Sequence, residues 1–283
     1  MTTPIDTPPL AAVQLHQIAY SEAVLARIEP GYSVLDNRTN PRPDWYELDP
    51  IRRFLHTAPL HEAAWYGFFS PKFGSKTGLS HAQVVATVQA AAPAADVVLF
   101  SPQPDMGAFF LNVFEQGETF DAGFIAACQG WLAHAGVEAP PLATLVMDSR
   151  NTVFSNYFVA RPAFWRAWLR LADSLWALCE DGPDPLRAPL VAPTTYPGSA
   201  QRKVFVQERI ASLLLALQPQ WRSVAANPFA MAWSATRMAQ HRELAAASDA
   251  CKRAYRDFGY PAYLQAFAAL RRRFVAAKAS AAA

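Results

Sequence analysis

Between Lys72 and Gly78 the chain places two lysines, two hydroxyls and two glycines within seven residues, Lys-Phe-Gly-Ser-Lys-Thr-Gly. Those are side chains that can cradle a phosphate. A P-loop needs glycine directly before Lys-Ser/Thr and a second glycine five residues earlier. Here Ser75 separates Gly74 from Lys76, and the nearest earlier glycine is Gly67, so this is not a Walker loop. The residue types still permit a diphosphate held by Lys72 or Lys76 beside backbone N–H groups at the start of the helix that Ser80 caps. A solvated loop is the plain alternative.

A second polar concentration is VMDSRNTVFSNYFVARPAFW, which sets Asp148, Arg150, Asn151, Ser155 and Asn156 between two apolar runs. So many polar groups at the margin of a core need partners. Either Asp148 and Arg150 pair off in a hydrogen-bonded turn, or the loop binds a donor or acceptor with Asp148 as base or ligand. Glu47-Leu-Asp49 has the acidic-x-Asp spacing that can bracket a hard cation, but Asp49 before Pro50 also suits a helix N-cap, the simpler role. No Asp-x-Asp occurs, so metal dependence would rest on single carboxylates such as Asp105 or Asp148. A metal-free site of basic residues is equally consistent with the sequence. The six histidines show no ligand spacing and read as structural. Most of the eight tryptophans occupy core-like positions, with Trp45 and Trp65, beside loops, the candidates for stacking on a sugar.

The elements that must position these groups are legible from pattern. VQLHQIAY, Ala63–Phe69, ADVVLF, LATLVMD and SNYFVA read as strands; YSVLDNRTNPRPDWYELD reads as a loop. Phe164, Trp168, Leu171, Leu175 and Leu178 recur at helical spacing after Pro162, and Val206, Ile210, Leu213, Leu214 and Leu217 share a later helical face. Strands alternating with helices predict an α/β sandwich with a mainly parallel sheet. Ligands of such sheets sit beyond the carboxyl ends of the strands, where Tyr20-Ser21, Ser70-Pro71-Lys72, Ser101–Asp105 and Asp148–Asn151 fall. The expected organisation is a floppy end over 1–12, the α/β domain over 13–181, a Pro-rich linker or mobile loop over 182–200, and a helical region over 201–283 packed on the same domain.

The charge balance of +2 gives no reason to expect nucleic-acid binding. Three well-separated cysteines suit a reducing cytoplasm and argue against a disulfide framework. No signal peptide or spanning segment is visible, so the expectation is a cytoplasmic protein. Arg271-Arg272-Arg273 could meet anionic lipid at the inner membrane, though favourable charge at a helix end explains it as well.

Four blocks, DNRTNPRPDWYELDPIRRF, WYGFFSPKFGSKTGLS, ADVVLFSPQPDMGAFFLNVFEQGE and VMDSRNTVFSNYFVARPAFW, resemble a family of bacterial glycosyltransferases from capsule and lipopolysaccharide gene clusters. The resemblance implies a GT-A-like, Rossmann-type fold that moves a sugar from a nucleotide-sugar donor to a growing surface polysaccharide or lipid-linked glycan. It implies Tyr20, Lys72, Lys76, Asp105, Arg150 and Asn156 at the donor, and Asp148 or Glu115 as base. It also implies Mg2+ or Mn2+ at Asp105, although Ser101-Pro-Gln-Pro-Asp105 stands where the family's Asp-x-Asp would lie. The alternative is a glycan-binding scaffold of the same pathway with a degenerate transferase fold.

Overall fold

The computed structural model describes residues 12–196 and 200–280, so the floppy end expected over 1–12 falls, up to residue 11, outside the described residues. In chain order, β1 (Val13–Ala19), α1 (Glu22–Leu25), β2 (Ser33–Asp36), α2 (Leu48–Thr57), β3 (Trp65–Phe69), α3 (Phe73–Thr77) and α4 (His81–Ala91) form the first third. Then follow β4 (Val97–Leu99), α5 (Pro104–Ala108), α6 (Val113–Phe120), α7 (Phe124–His134), β5 (Phe158–Ala160), α8 (Pro162–Asp181) and α9 (Asp184–Val191). The last part holds α10 (Arg202–Gln207), α11 (Ile210–Leu217), β6 (Ser223–Ala225), α12 (Arg242–Phe258) and α13 (Pro261–Ser280).

The six strands lie in the order β2-β1-β3-β5-β4-β6. All ladders are parallel except those that β5 makes with β3 and β4. The sheet is therefore mixed, with β5 reversed in its centre. Side chains alternate across it as strand geometry requires. Trp65, Phe69, Val98 and Val159 point into one core layer with Val84 and Val88 of α4, while Tyr66, Phe68, Val97, Leu99, Phe158 and Ala160 point into a larger layer. There α8 lays down Phe164, Trp165, Trp168, Leu171 and Leu175, so the spaced apolar face read from sequence is the face that packs. Pro162 at the first turn of α8 starts it with φ already set for a helix.

Several expectations need correction. The segment read as a loop contains β2, a polar edge strand whose partner is β1. LATLVMD is not a strand: it holds a 3-10 turn at Leu142–Thr144. Asp49 does not cap α2, which begins one residue earlier at Leu48; buried, it instead holds Arg53 at 3.0 Å. The Pro-rich stretch over 182–200 contains α9, with Pro189 inside it, and is anchored by a Pro193–Gln201 bridge. The region after residue 200 is not purely helical, because β6 completes the sheet beside β4.

At the sheet's centre Gly67 of β3 faces Val159 of β5. A Cβ there would stand 2.9 Å from Val159 Cγ2 and 3.0 Å from Leu15 Cδ2. Gly67→Ala is therefore expected to destabilise the fold by about 1–3 kcal/mol through overpacking, measured by urea unfolding.

Candidate functional site

Because β5 runs backwards, its amino end meets the carboxyl ends of β1, β3 and β4 along one edge of the sheet. Two cavities open there. The first, of about 540 Å3, is lined by Tyr20 after β1, Asn37 and Asn40 after β2, Tyr46 and Glu47 before α2, and Ser70 and Lys72 after β3. The second, of about 550 Å3, lies among Gln103, Gln116, Phe120, Phe154 and Thr236. Both share Lys76, Ser155, Tyr196, Phe205 and Glu208, so they meet at one boundary. Tyr196 and Phe205 stand there edge to face, 5.3 Å between centroids.

Lys76 is fixed at this boundary from several sides. Its Nζ donates to Ser155 Oγ at 3.0 Å and lies 5.6 Å from the centre of the Tyr157 ring. Tyr157 in turn shares a 2.6 Å hydrogen bond with Ser70. Ser155 and Asn156 both take positive φ, 59° and 52°, a conformation that L residues other than glycine seldom adopt. This left-handed pair turns the chain into β5 and presents Ser155 to the lysine. Tyr46 has φ 49° with ψ −121°, and Glu47 follows it into the first cavity. Non-glycine residues held in such sparsely populated conformations concentrate at functional sites.

Two carboxylates face these lysines. Burial, then the charge of Glu208, pushes Glu47 up to about 7, against the pull of its own backbone N–H, Lys76 and Lys72. Burial likewise raises Glu208, opposed by Arg209, Lys76 and the Ser155 N–H that donates to it. Glu208 sits where α10 ends and α11 has not begun, and this break between the two helices carries its side chain to the boundary.

The predicted site residues divide. Tyr20, Lys72 and Lys76 come together in the first cavity, with Tyr20 half-exposed at the end of β1. Asp105, Asp148, Arg150 and Glu115 line neither of the two cavities. Asp105 is fully buried and its carboxylate accepts from the Ser234 N–H and hydroxyl, which ties α5 to the segment before α12. Asp148 is also fully buried, bound to Arg150 at 2.7 Å and to Arg256 of α12 at 2.9 Å. Burial alone would raise Asp148, but its bonds to Arg150 and the charge of Arg256 hold it below the ordinary carboxylate range. Arg150 spends its remaining arm on Asp257 at 2.8 Å. The alternative in which Asp148 and Arg150 pair off is thus the one realised. Glu115 accepts from Arg271 at 2.6 Å and from the Leu111 N–H. Asn156 is buried beside the boundary without lining it, and neither polar atom of its side chain has a partner.

The start of α4 is not at the cavities either: Ser80 and Gln83 satisfy each other in a capping box. The lysines act from the short helix before it. Trp45 and Trp65, the sugar-stacking candidates, are completely buried. Trp45 donates to Glu180 at 3.0 Å, and Trp65 lies under the Arg161 guanidinium. His16 is packed against Phe54 and Phe68, and burial lowers it to about 4. Glu208, Tyr196 and Phe205 were not among the predicted site residues. The one available signal for Glu208 was the polar triplet Gln207-Glu208-Arg209 interrupting an otherwise apolar helical run.

No protein family, no curated protein and no solved structure matches this chain.

Two outcomes test this geometry. Glu47 has a folded pKa near 7 against an ordinary 4.5, so the native chain keeps a proton that the unfolded chain releases. The stabilisation this gives is complete below about pH 4.5 and fades as pH rises towards 7. Glu47→Gln should therefore match the wild type in urea unfolding at pH 4 and exceed it at pH 8; a difference independent of pH would contradict the assignment. Asp148→Ala leaves two arginines without their buried partner and should cost about 3–5 kcal/mol in the same assay.

Proposed function

We propose that the protein is a glycosyltransferase, moving a sugar from a nucleotide-sugar donor to a surface polysaccharide or lipid-linked glycan, on a GT-A-like variant of the α/β fold. The observation that carries this reading is the boundary itself: Lys76 and a proton-accepting carboxylate, Glu208, meet where two cavities join at the strand ends. Open α/β sheets bind their ligands at that edge.

The first cavity suits the donor. Tyr20 and Tyr46, both about half-exposed, offer ring faces to a nucleobase, and Asn37 and Asn40 offer amides. Lys72 and Lys76 supply positive charge for the diphosphate. In transfer, the acceptor oxygen bonds to the anomeric carbon as the bond from that carbon to the diphosphate oxygen breaks. The diphosphate leaves with the electron pair, and its growing negative charge is met by the two ammonium groups. Glu208 takes the acceptor's hydroxyl proton, a role for which a raised proton affinity is suited.

The metal expected at Asp105 does not fit, since Ser234 occupies that carboxylate. Among the described residues no three His, Cys, Asp or Glu side chains converge. No helix among the described residues is long and apolar enough to cross a membrane, so a lipid-linked acceptor would be met from the surface.

Purified protein incubated with a panel of nucleotide sugars, with and without Mn2+ and EDTA, tests the proposal. Donor hydrolysis or thermal stabilisation by a nucleoside diphosphate is expected. Lys76→Ala should abolish the stabilisation, whereas Glu208→Gln should keep it and lower turnover by about 10²–10⁴-fold. Silence across the panel with glycan binding intact would leave a glycan-binding scaffold instead.

A further inference from the structure

Folded chains leave single apolar side chains exposed without consequence, but their grouping carries information. Among the described residues eight large hydrophobic side chains are exposed, and four of them line the two cavities: Tyr20 and Tyr46 the first, Phe120 and Tyr196 the second. The second cavity therefore has the open face of Phe120 on α6 to itself and shares that of Tyr196, on the segment after α9, with the first. Phe154 and Phe205 add further ring surface.

Its polar lining is of a particular kind. Gln103, Gln116, Thr195 and Thr236 bring amides and hydroxyls. Gln103 is held at φ 60°, a strained left-handed position for a residue with a side chain, and lines the cavity from there. The charged groups away from the boundary already have hydrogen-bond partners. Asp121 is bound bidentately by Arg202, and the Arg209 guanidinium is spent on the Val113 and Phe205 carbonyls and on Gln116. At the boundary Lys76 and Glu208 oppose each other. Lys76, shared with the first cavity, is thus the cation left to a ligand here, and the rest of the accessible lining is amide, hydroxyl and ring.

We propose that the second cavity is a subsite for a short neutral oligosaccharide. This rests on the transferase reading and assigns its acceptor class. The C–H faces of pyranose rings lie on Phe120 and Tyr196, their hydroxyls meet Gln103, Gln116 and Thr236, and the terminal hydroxyl reaches Glu208 at the boundary. About 550 Å3 falls within the range of cavities that hold ligands of that size.

The full chain is titrated by saturation-transfer NMR with cellotriose, maltotriose, mannotriose and chitotriose, with trigalacturonate as the anionic comparison. At least one neutral trisaccharide should bind, and trigalacturonate should not. Phe120→Ala and Tyr196→Ala should each weaken that binding about tenfold or more, and Phe120→Ala, which lies outside the first cavity, should leave thermal stabilisation by UDP and ADP unchanged. Both side chains are more than half-exposed or close to it, and an unchanged Tm checks that each variant is folded. If no neutral trisaccharide binds, if trigalacturonate binds better, or if both variants bind like the wild type, the subsite is refuted. Loss of nucleoside diphosphate binding in the wild type would refute the transferase reading instead, so the two failures are distinguishable.

Discussion

The architecture of the site depends on one reversed strand. β5 is inserted between β3 and β4 against their direction, and only that reversal brings its amino end to the edge where the parallel strands finish. The chain reaches β5 through Ser155 and Asn156, two consecutive residues in the left-handed region. Neither is glycine, so the conformation is held at a cost of about 1–3 kcal/mol per residue, offset by the packing on either side of it. Phe154, Tyr157 and Phe158 are all buried there and anchor the turn from both layers of the core. What the turn delivers is the Ser155 hydroxyl to Lys76 and the Ser155 N–H to Glu208. A parallel strand in the same place would end its loop at the opposite edge, and the lysine and glutamate would lose their common partner.

Much of this frame is legible in the sequence because burial imposes period. Trp65–Phe69 is buried on both faces and reads as a strand of continuous aromatic character, and α8 repeats its large apolar residues at the spacing of a helix against a core. The elements that escaped are those where burial is weak. β2, Ser-Val-Leu-Asp, is an edge strand with mostly exposed side chains, and β6 is three residues long with none fully buried. Their identity comes from ladder hydrogen bonds to β1 and β4, which no local pattern announces. The direction of β5 is hidden for the same reason: a strand's residues do not encode the sense of its neighbours.

The site was half legible. Tyr20, Lys72 and Lys76 follow strand ends directly, so locating the strands locates them. Asp105 and Asp148 looked equally well placed, but both are bonded by groups, Ser234 and Arg256, that lie more than a hundred residues further along the chain. Asp148 has its charge met by two arginines, and both oxygens of Asp105 are taken by Ser234. Glu208 escaped by the converse route. Its position, on the side of α10 and α11 away from their shared apolar face, reads as solvated, yet it is only partly exposed and lines both cavities with Ser155, Tyr196 and Phe205.

The charges at the boundary favour this division of labour between the cavities. With Glu47 protonated, Lys72 and Lys76 outweigh Glu208, and the first cavity carries a net positive charge suited to an anion. Ionising Glu47 removes that excess, so the charge of the first cavity depends on a proton near neutral pH. Any anion bound beside Glu47 would stabilise its protonated form, because the two negative charges would repel. Burial raises Glu208 as well, against the pull of Arg209, Lys76 and the Ser155 N–H, and Glu208 is the one of the two that also lines the second cavity. The two acidic side chains, both raised by burial, are thereby divided between the cavities: Glu47 faces the first alone, whereas Glu208 stands where the two meet.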